Sequence, residues 1–256
     1  MTTILLDGDI VAYQFASAAE KETYWGDGLW TLHSQEQDTI PPMEDFLDGL
    51  KDKLKADRLI VALTDGVNWR KDVLPSYKSN RAEKRKPIIL PVVRQHLLDN
   101  YETFLRPTLE GDDVLGILMT SRKLVPGDKV LVSIDKDMKT IPGSHYHMRE
   151  GRHFEVSPAY AQYCHFFQTL TGDQTDGYSG CPGIGPKKAE GILENFTNHE
   201  AGTFDAKAAW AQIVKVYEKA KLGPDEALTQ ARVARICHAS DYDFKEKKVK
   251  LWCPPS

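Results

Sequence analysis

Acidic side chains recur in this chain directly after short apolar runs, where they could do chemistry together. Asp7 follows "TILL", Asp65 follows "LIVALT", and Asp135 and Asp137 follow "VLVSI". The whole set is Asp7, Asp65, Glu110, Asp112, Asp113, Asp135, Asp137, Asp173 and Asp176. Any one of them alone could equally be a helix cap. Several converging carboxylates repel each other, however, and oxygen ligands of this kind favour Mg²⁺ or Mn²⁺. The set therefore predicts a divalent-cation site.

A strongly basic segment follows Asp65. Residues 69–94 read "WRKDVLPSYKSNRAEKRKPIILPVVR", in which eight Lys and Arg side chains face only Asp72 and Glu83. The formal net charge of the chain is −4 and the nine acids account for −9 of it, which leaves +5 for the remainder. A basic run is often only a solvated face, but this one adjoins a candidate metal ligand. A cationic groove beside a metal site suits a phosphate backbone.

A glycine-rich turn, "GCPGIGPKKA", follows Asp173 and Asp176. Gly183 and Gly185 allow close approach of the backbone, and exposed amides at a helix amino terminus bind phosphate. Lys187 and Lys188 add positive charge at the same place. Such a loop is weak evidence by itself. Next to two acids it indicates that a polymer of phosphates is held by the loop and cut at the metals nearby.

The elements that must position these residues alternate between strand and helix. The apolar runs that precede Asp7, Asp65 and Asp135 predict buried strands, and amphipathic helical patterns lie between them. This alternation predicts an α/β fold with a mostly parallel sheet flanked by helices, in which ligands bind beyond the carboxyl ends of the strands. Two hairpins are predicted at "TYWGDGLWTL" and "YHMREGRHFEV". From about residue 157 to residue 238 only helical patterns continue.

Composition narrows the classes of protein. Of the 256 residues 41% are hydrophobic and 27% charged, as in soluble globular proteins. No apolar run reaches the roughly 18 residues of a membrane span, so no membrane partner is expected. The four cysteines have no redox or zinc spacing. The first residues lack a basic start and are interrupted by Asp7 and Asp9, so we interpret them as a strand and expect a cytoplasmic monomer.

Several separated motifs resemble, in order, those of the structure-specific 5′ nucleases, which include flap endonucleases, phage 5′–3′ exonucleases and the 5′ nuclease domain of bacterial DNA polymerases. "LLDGD" resembles the first acid motif, and "LTDGVNWRKDVLPSYKSNR" the second with its Tyr-Lys-x-x-Arg element. "LEGDDVLG" resembles Glu-Ala-Asp-Asp, with Gly111 for Ala, and "SIDKDM" resembles Asp-Lys-Asp, with Ile134 for Gly. "GDQTDGYSGCPGIGPKKA" resembles the helix–three-turn–helix element, with Gly177 for Asn and Lys188 for a small hydroxyl residue.

The resemblance implies a PIN-like fold and a two-metal mechanism. It implies a nuclease core at residues 1–160, with a helical arch at about residues 68–100. Residues 161–256 would form a helical DNA-binding part, with the helix–three-turn–helix element at about residues 170–197. It also implies Mg²⁺ as two ions, which Mn²⁺ can replace, and a K⁺ ion at the helix–three-turn–helix loop.

The resemblance further assigns roles to residues. The nine acids would be the metal ligands, with Asp137, Asp173 and Asp176 around one ion and the other six around the second. Lys78 and Arg81 would be catalytic. The residues expected to bind DNA are Arg70, Tyr77, Lys84, Arg85, Lys86, Gly183, Gly185, Lys187 and Lys188. The substrate would be DNA with 5′ ends, flaps or nicks.

Two other functions remain open at this stage. A haloacid-dehalogenase-type phosphatase would also begin with Asp-x-Asp after a strand, here Asp7 and Asp9, and would use a late Gly-Asp-x-x-Asp motif. It gives no role to Glu110 or to the Tyr-Lys-x-x-Arg element. A DNA-binding protein without catalysis would use the loop and the basic segment alone, but nine uncompensated acids would repel its ligand.

Overall fold

A mostly parallel sheet of six strands forms the centre of the computed structural model, which describes residues 1–81 and 84–255. The described strands of four or more residues are β1 (Thr2–Asp7), β2 (Lys21–Gly26), β3 (Leu29–His33), β4 (Arg58–Leu63), β5 (Glu102–Leu105), β6 (Asp128–Ser133), β7 (Gly143–His147) and β8 (Arg152–Val156). The sheet order is β5-β4-β1-β6-β7-β8, and only β8 runs antiparallel to its neighbour. Strands β1 and β4 are buried along nearly their whole length, which explains their continuous apolar runs.

Helices cover both faces of this sheet, and further helices form a separate helical part of the chain. They are α1 (Gly8–Ala18), α2 (Ile40–Leu54), α3 (Arg70–Val73), α4 (Leu90–Asn100), α5 (Gly111–Thr120), α6 (Pro158–Thr171), α7 (Pro186–Leu193), α8 (Ala206–Lys219) and α9 (Pro224–Ala234). Helices α1, α2 and α4 share one apolar cluster with Ile4 and Leu6 of β1. Helix α5 packs with Leu5 on the opposite face. The α/β fold with a mostly parallel sheet flanked by helices is confirmed.

The helical part has a core of its own. Phe166 and Leu170 of α6 pack with Leu193 of α7 and with Ile213 and Tyr217 of α8. Helix α6 also packs against a short 3₁₀ turn, Lys136–Thr140, that follows β6. Residues 172–185 form a series of turns that connect α6 with α7. This contact brings the acids of the turns beside the carboxyl end of β6.

Both predicted hairpins are present. Strands β2 and β3 pair through a turn in which Asp27 has φ 47° between two glycines, and β7 pairs with β8. The arch prediction for residues 68–100 is wrong in its last part, because Val93 and Leu97 of α4 are buried in the core. Ala82 and Glu83, which fall within the predicted arch, lie outside the described residues. In the described ranges no helix has the length and apolarity to cross a membrane.

Candidate active site

The strand order reverses between β1 and β6, and the carboxyl ends of these two strands carry Asp7 and Asp135. The hydroxyl of Ser133 joins the two strand ends: it donates to Asp7 Oδ2 at 2.8 Å and accepts from the backbone N–H of Asp135 at 3.0 Å. Asp7 also caps α1 by accepting from the backbone N–H of Ile10 at 3.2 Å. A topological switch point of this kind is where open α/β sheets bind ligands.

Four acids gather here, and we call them the Asp7 group: Asp7, Glu110, Asp112 and Asp135. Burial raises the pKa of Asp7 to about 6, and the charge of Asp135 adds to the effect. Burial likewise raises the pKa of Asp112 well above its usual range, with the charges of Asp7, Glu110 and Asp135 acting in the same direction. Buried carboxylates that repel each other in this way are the donor set that a divalent cation stabilises.

Three more acids form a second set, the Asp173 group: Asp137, Asp173 and Asp176. Burial raises the pKa of Asp137 to about 7, helped by the charges of Asp135 and Asp173, so the two groups adjoin. Burial would also raise the pKa of Asp173, but a bond from Lys136 at 3.1 Å and the amide of Thr175 at 2.7 Å outweigh it and lower that pKa. The prediction that these seven acids bind two metal ions stays a prediction.

The Tyr-Lys-x-x-Arg element connects the two groups. The Tyr77 hydroxyl lies 3.0 Å from both Glu110 Oε2 and Asp176 Oδ2. Lys78 Nζ donates to Glu110 and lies 3.4 Å from Asp176 Oδ2, and Arg81 donates to Asp176. Burial would lower the pKa of Lys78, but the charges of Glu110 and Asp176 outweigh it and raise that pKa. Lys78 is therefore a fixed cation between the groups.

Gly177 makes this connection possible. The backbone N–H of Lys78 donates to the carbonyl of Asp176 at 2.8 Å, so residues 76–78 lie directly against residues 176–177. Gly177 has φ 75°, and a Cβ there would lie 3.2 Å from the Ser76 carbonyl oxygen. The departure from Asn at this position thus coincides with a close backbone contact and a positive φ, both of which favour glycine.

In the part of the chain that the structure describes, no three Asp, Glu, His or Cys side chains are arranged as a ready metal cage. The ammonium groups of Lys78 and Lys136 pair with Glu110, Asp176 and Asp173 instead. The oxygen-only donors and the raised pKa values of Asp7 and Asp112 nevertheless fit a hard divalent cation.

Two predicted ligands lie outside these groups. Asp113 is fully buried, and its oxygens accept from the Arg70 guanidinium, the Trp69 indole and the backbone N–H groups of Glu110 and Cys237. Because five donors use about four lone-pair sites, the prediction that Asp113 binds a metal is wrong for this structure. The carboxylate of Asp65 accepts from the amide of Thr108 at 2.8 Å, which lowers its pKa together with the amides of residues 66 and 67. It stabilises a loop.

Two predicted DNA contacts are buried. Arg70 is only 2% exposed, and besides Asp113 it bonds to Glu110 and to the carbonyls of Val233 and Arg235. The ring of Tyr77 is only 3% exposed. Neither the predicted contact of Arg70 with DNA nor the stacking of a displaced base on Tyr77 is compatible with this burial.

The other predicted DNA contacts are at the surface. Gly183 and Gly185 face open space, and Lys187 and Lys188 are exposed on the first turn of α7. Lys188 Nζ donates to the Gly183 carbonyl at 2.8 Å. Lys84, Arg85 and Lys86 are exposed too, although Arg85 is paired with Glu20 at 2.7 Å. Their contact with DNA stays a prediction.

Sequence reasoning missed two residues that hold the site, Ser133 and Gln168, and left the role of Asp9 open. Ser133 connects Asp7 with Asp135, and Gln168 of α6 donates to Asp137 Oδ1 at 2.6 Å. Asp9 accepts from the backbone N–H of Thr64 at 2.8 Å and from Arg94, so it holds α1 against α4 and β4. Only Ser133 had a local signal, since it is the last residue of a strand that ends in acids.

The chain is similar in sequence to two phage exonucleases and in fold to a phage flap endonuclease. No protein-family profile matches the chain. The exodeoxyribonuclease of Enterobacteria phage T3 is 31% identical over 282 residues, covering 99% of this chain and 93% of the relative. The exonuclease of Escherichia phage T7 is 31% identical over 280 residues, covering 98% and 93%. The bacteriophage T5 flap endonuclease, solved in a pseudo-enzyme-product complex with DNA and metal ions, has TM-score 0.66 and 16% identity, covering 91% of this chain and 89% of its own.

Proposed function

The chain belongs to the family of the phage T3 and T7 exonucleases, within the structure-specific 5′ nucleases, and from this premise we propose that it is a metal-dependent nuclease that hydrolyses DNA phosphodiester bonds at 5′ ends, flaps and nicks. The observation that carries the proposal is the convergence of the Asp7 group and the Asp173 group at the switch point between β1 and β6. Acids from distant parts of the chain meet there and repel each other. That arrangement is unfavourable unless cations are part of the working site.

The two acid groups would hold two divalent ions, Mg²⁺ or Mn²⁺, since their donors are all carboxylate oxygens. Such ions, when bound, activate water and stabilise the leaving 3′ oxygen of a phosphodiester. The chain's own contribution is orientation. Ser133 and the amide of Ile10 fix Asp7, and Gln168 fixes Asp137. These bonds keep the carboxylates in place before any substrate arrives.

Lys78 would act on the phosphate that is cut. Its ammonium lies between Glu110 and Asp176 and is held there by the backbone bond from Lys78 to Asp176. An ammonium beside the reacting phosphate stabilises the charge that develops in the transition state. Arg81, which is 43% exposed and pairs with Asp176, would contact the adjoining phosphate.

The DNA would extend from this site to α7. Gly183 and Gly185 are exposed, with open space where a side chain would stand, and Lys187 and Lys188 are exposed beside them. Exposed amides and ammonium groups bind phosphates without reading sequence. The T5 flap endonuclease, which shares the fold, was solved with DNA and metal ions, in keeping with this proposal.

The test uses a 5′-flapped duplex with Mg²⁺ and a matched pair of acid variants. We expect wild-type protein to cut the flap strand, to be inactive with EDTA, and to leave a small phosphomonoester intact. Asp135→Asn should abolish cleavage, because it removes a charge from the Asp7 group. Asp65→Asn is the control: Asp65 also follows a strand, but it accepts from loop amides.

Each alternative gives a different result. Hydrolysis of the phosphomonoester alone would identify a phosphatase, although Asp9 is bonded to Thr64 and Arg94 and is not free beside Asp7. Tight DNA binding without cleavage in Mg²⁺ or Mn²⁺ would identify a non-catalytic binding protein. Near wild-type cleavage by Asp135→Asn would contradict the assigned site.

A further inference from the structure

A cleft of about 920 Å³ lies beside the helical part, outside both acid groups. Its walls come from the start of α6, one face of α7 and the turn at residues 197–204 that follows α7. A cleft of this volume can hold a ligand the size of a nucleoside. None of the residues assigned above to metal binding or phosphate transfer lines it, although Lys187 lies at its rim.

One wall is an aromatic platform. The rings of Tyr160 and Tyr163 are nearly parallel, 6.1 Å apart with an interplanar angle of 9°. Tyr163 is supported from behind by Phe167 and, edge-on, by Phe204. Tyr160 itself is 46% exposed and has no such cover. A supported pair of rings with one open face is suited to stacking on a planar ligand.

The charges of the other wall point to a base and not to a phosphate. Glu190 of α7 and Glu194, which follows α7, line the cleft, and their carboxylates lie near the Tyr163 hydroxyl, where they help burial to raise its pKa. Glu194 also pairs with His199, which lines the same cleft. These anions would repel a phosphate, and the carboxylate of Glu190 can accept from the amino groups of a nucleobase. Lys187, on the same face of α7, supplies a cation for the phosphate of the same nucleotide.

The cleft continues to the metal-binding acids. A second cavity, of about 240 Å³, is lined by Tyr160, Tyr163 and Glu190 and also by Asp137 and Asp173. The aromatic platform is thus shared by the two cavities. A strand with one nucleotide in the cleft could run to the Asp173 group without leaving the surface of α6.

We propose that this cleft binds one unpaired nucleobase of the DNA strand, stacked on the open face of Tyr160, which Tyr163 supports, and donating from an amino group to Glu190. The proposal rests on the proposed nuclease function and adds a subsite to it. The subsite would fix the position of a single-stranded segment relative to the Asp173 group. A base that remains paired within a duplex would not enter the cleft.

The experiment places 2-aminopurine at successive positions of a single-stranded tail on a duplex and measures its fluorescence with EDTA present. We expect quenching on binding at one position. Tyr160→Ala should remove this quenching and weaken binding of the tailed duplex by about 5- to 150-fold, whereas binding of a blunt duplex should be unchanged. Tyr160→Phe keeps the ring and should behave as wild type. Phe244→Ala is the control, since Phe244 has a similar exposure of 49% and does not line the cleft.

Two results would overturn the subsite. One is that no tail position is quenched, and the other is that Tyr160→Ala, shown to be folded by circular dichroism, keeps the quenching. Failure of the proposed function is distinct from either, because it would appear as absence of metal-dependent cleavage in the wild-type protein.

Discussion

Replacing Arg70 by Met tests whether the basic segment contains a buried structural residue. The guanidinium makes bonds of 2.7 and 2.8 Å to Asp113, one of 3.0 Å to Glu110, and two to the carbonyls of Val233 and Arg235. Methionine has a similar stem but no donors. Asp113 would keep its charge in a fully buried position with only neutral donors left.

The expected cost follows from this burial. Removing one partner of a buried ion pair costs about 3–5 kcal/mol. That is a large part of the roughly 5–15 kcal/mol by which a domain is stable. With a urea dependence of about 3 kcal/mol per molar, the unfolding midpoint should fall by about 1–1.7 M. Arg81→Met, in the same basic segment but 43% exposed, should cost less than about 1 kcal/mol.

Equilibrium urea unfolding, followed by circular dichroism and paired with a DNA-binding titration, decides between the two roles. We expect Arg70→Met to lose stability and to bind DNA normally under conditions in which it is folded. A variant with wild-type stability and much weaker DNA binding would refute the structural role. It would instead support the original prediction that Arg70 contacts DNA.

Four further outcomes are expected. Lys78→Ala should lower the single-turnover rate about a hundredfold with little change in affinity, because its ammonium lies at the reacting centre. The double variant Lys187→Ala with Lys188→Ala should instead weaken DNA binding and reduce the slope of log affinity against log salt by roughly 0.9 per contact. A Lys78 variant that loses only affinity would contradict this distinction between the two kinds of lysine. Gly177→Ala should slow cleavage and lower the free energy of unfolding, measured in urea, by about 1–2 kcal/mol, because a Cβ at φ 75° meets Ser76. Unchanged stability and rate would show that the backbone shifts to accept the methyl group. His165 is fully buried, and burial and the charge of Arg235 lower its pKa to about 3. Because this folded-state pKa lies below the unfolded value, the stability that neutral His165 contributes is complete above pH 6.5. It is lost at about 1.4 kcal/mol per pH unit as the pH falls from 6.5 toward 3. His165→Gln should flatten the fall of unfolding free energy below pH 6.5, and an identical pH profile would count against this role.

Local patterns were sufficient to predict the sheet and the convergence of acids at one of its edges. The apolar runs before Asp7 and Asp135 are buried strands, and parallel strands bring their carboxyl ends to one edge, so these acids meet although the residues are more than a hundred positions apart. The two hairpins followed from turn residues. These features depend on periodicity and turn chemistry, which a sequence shows directly.

The assignments that failed depend on distant partners. Asp112 and Asp113 are neighbours in one motif, yet Asp113 faces Arg70, 43 residues away, while Asp112 faces Asp7. In a helix, adjacent side chains point in different directions, and the sequence does not say which direction meets a cation. Arg70 was misplaced for the same reason: its acceptors on Val233 and Arg235 lie more than 160 residues away.

The most direct test of the central claim is the number of Mn²⁺ ions bound per chain, measured by electron paramagnetic resonance in the presence of a flapped duplex. The two acid groups predict two ions for the wild-type protein, at most one for Asp173→Asn, and two for Asp65→Asn, whose carboxylate accepts from loop amides. The same stoichiometry in Asp173→Asn as in the wild type, or fewer than two ions in the wild type itself, would contradict the claim that these acids form a two-metal site.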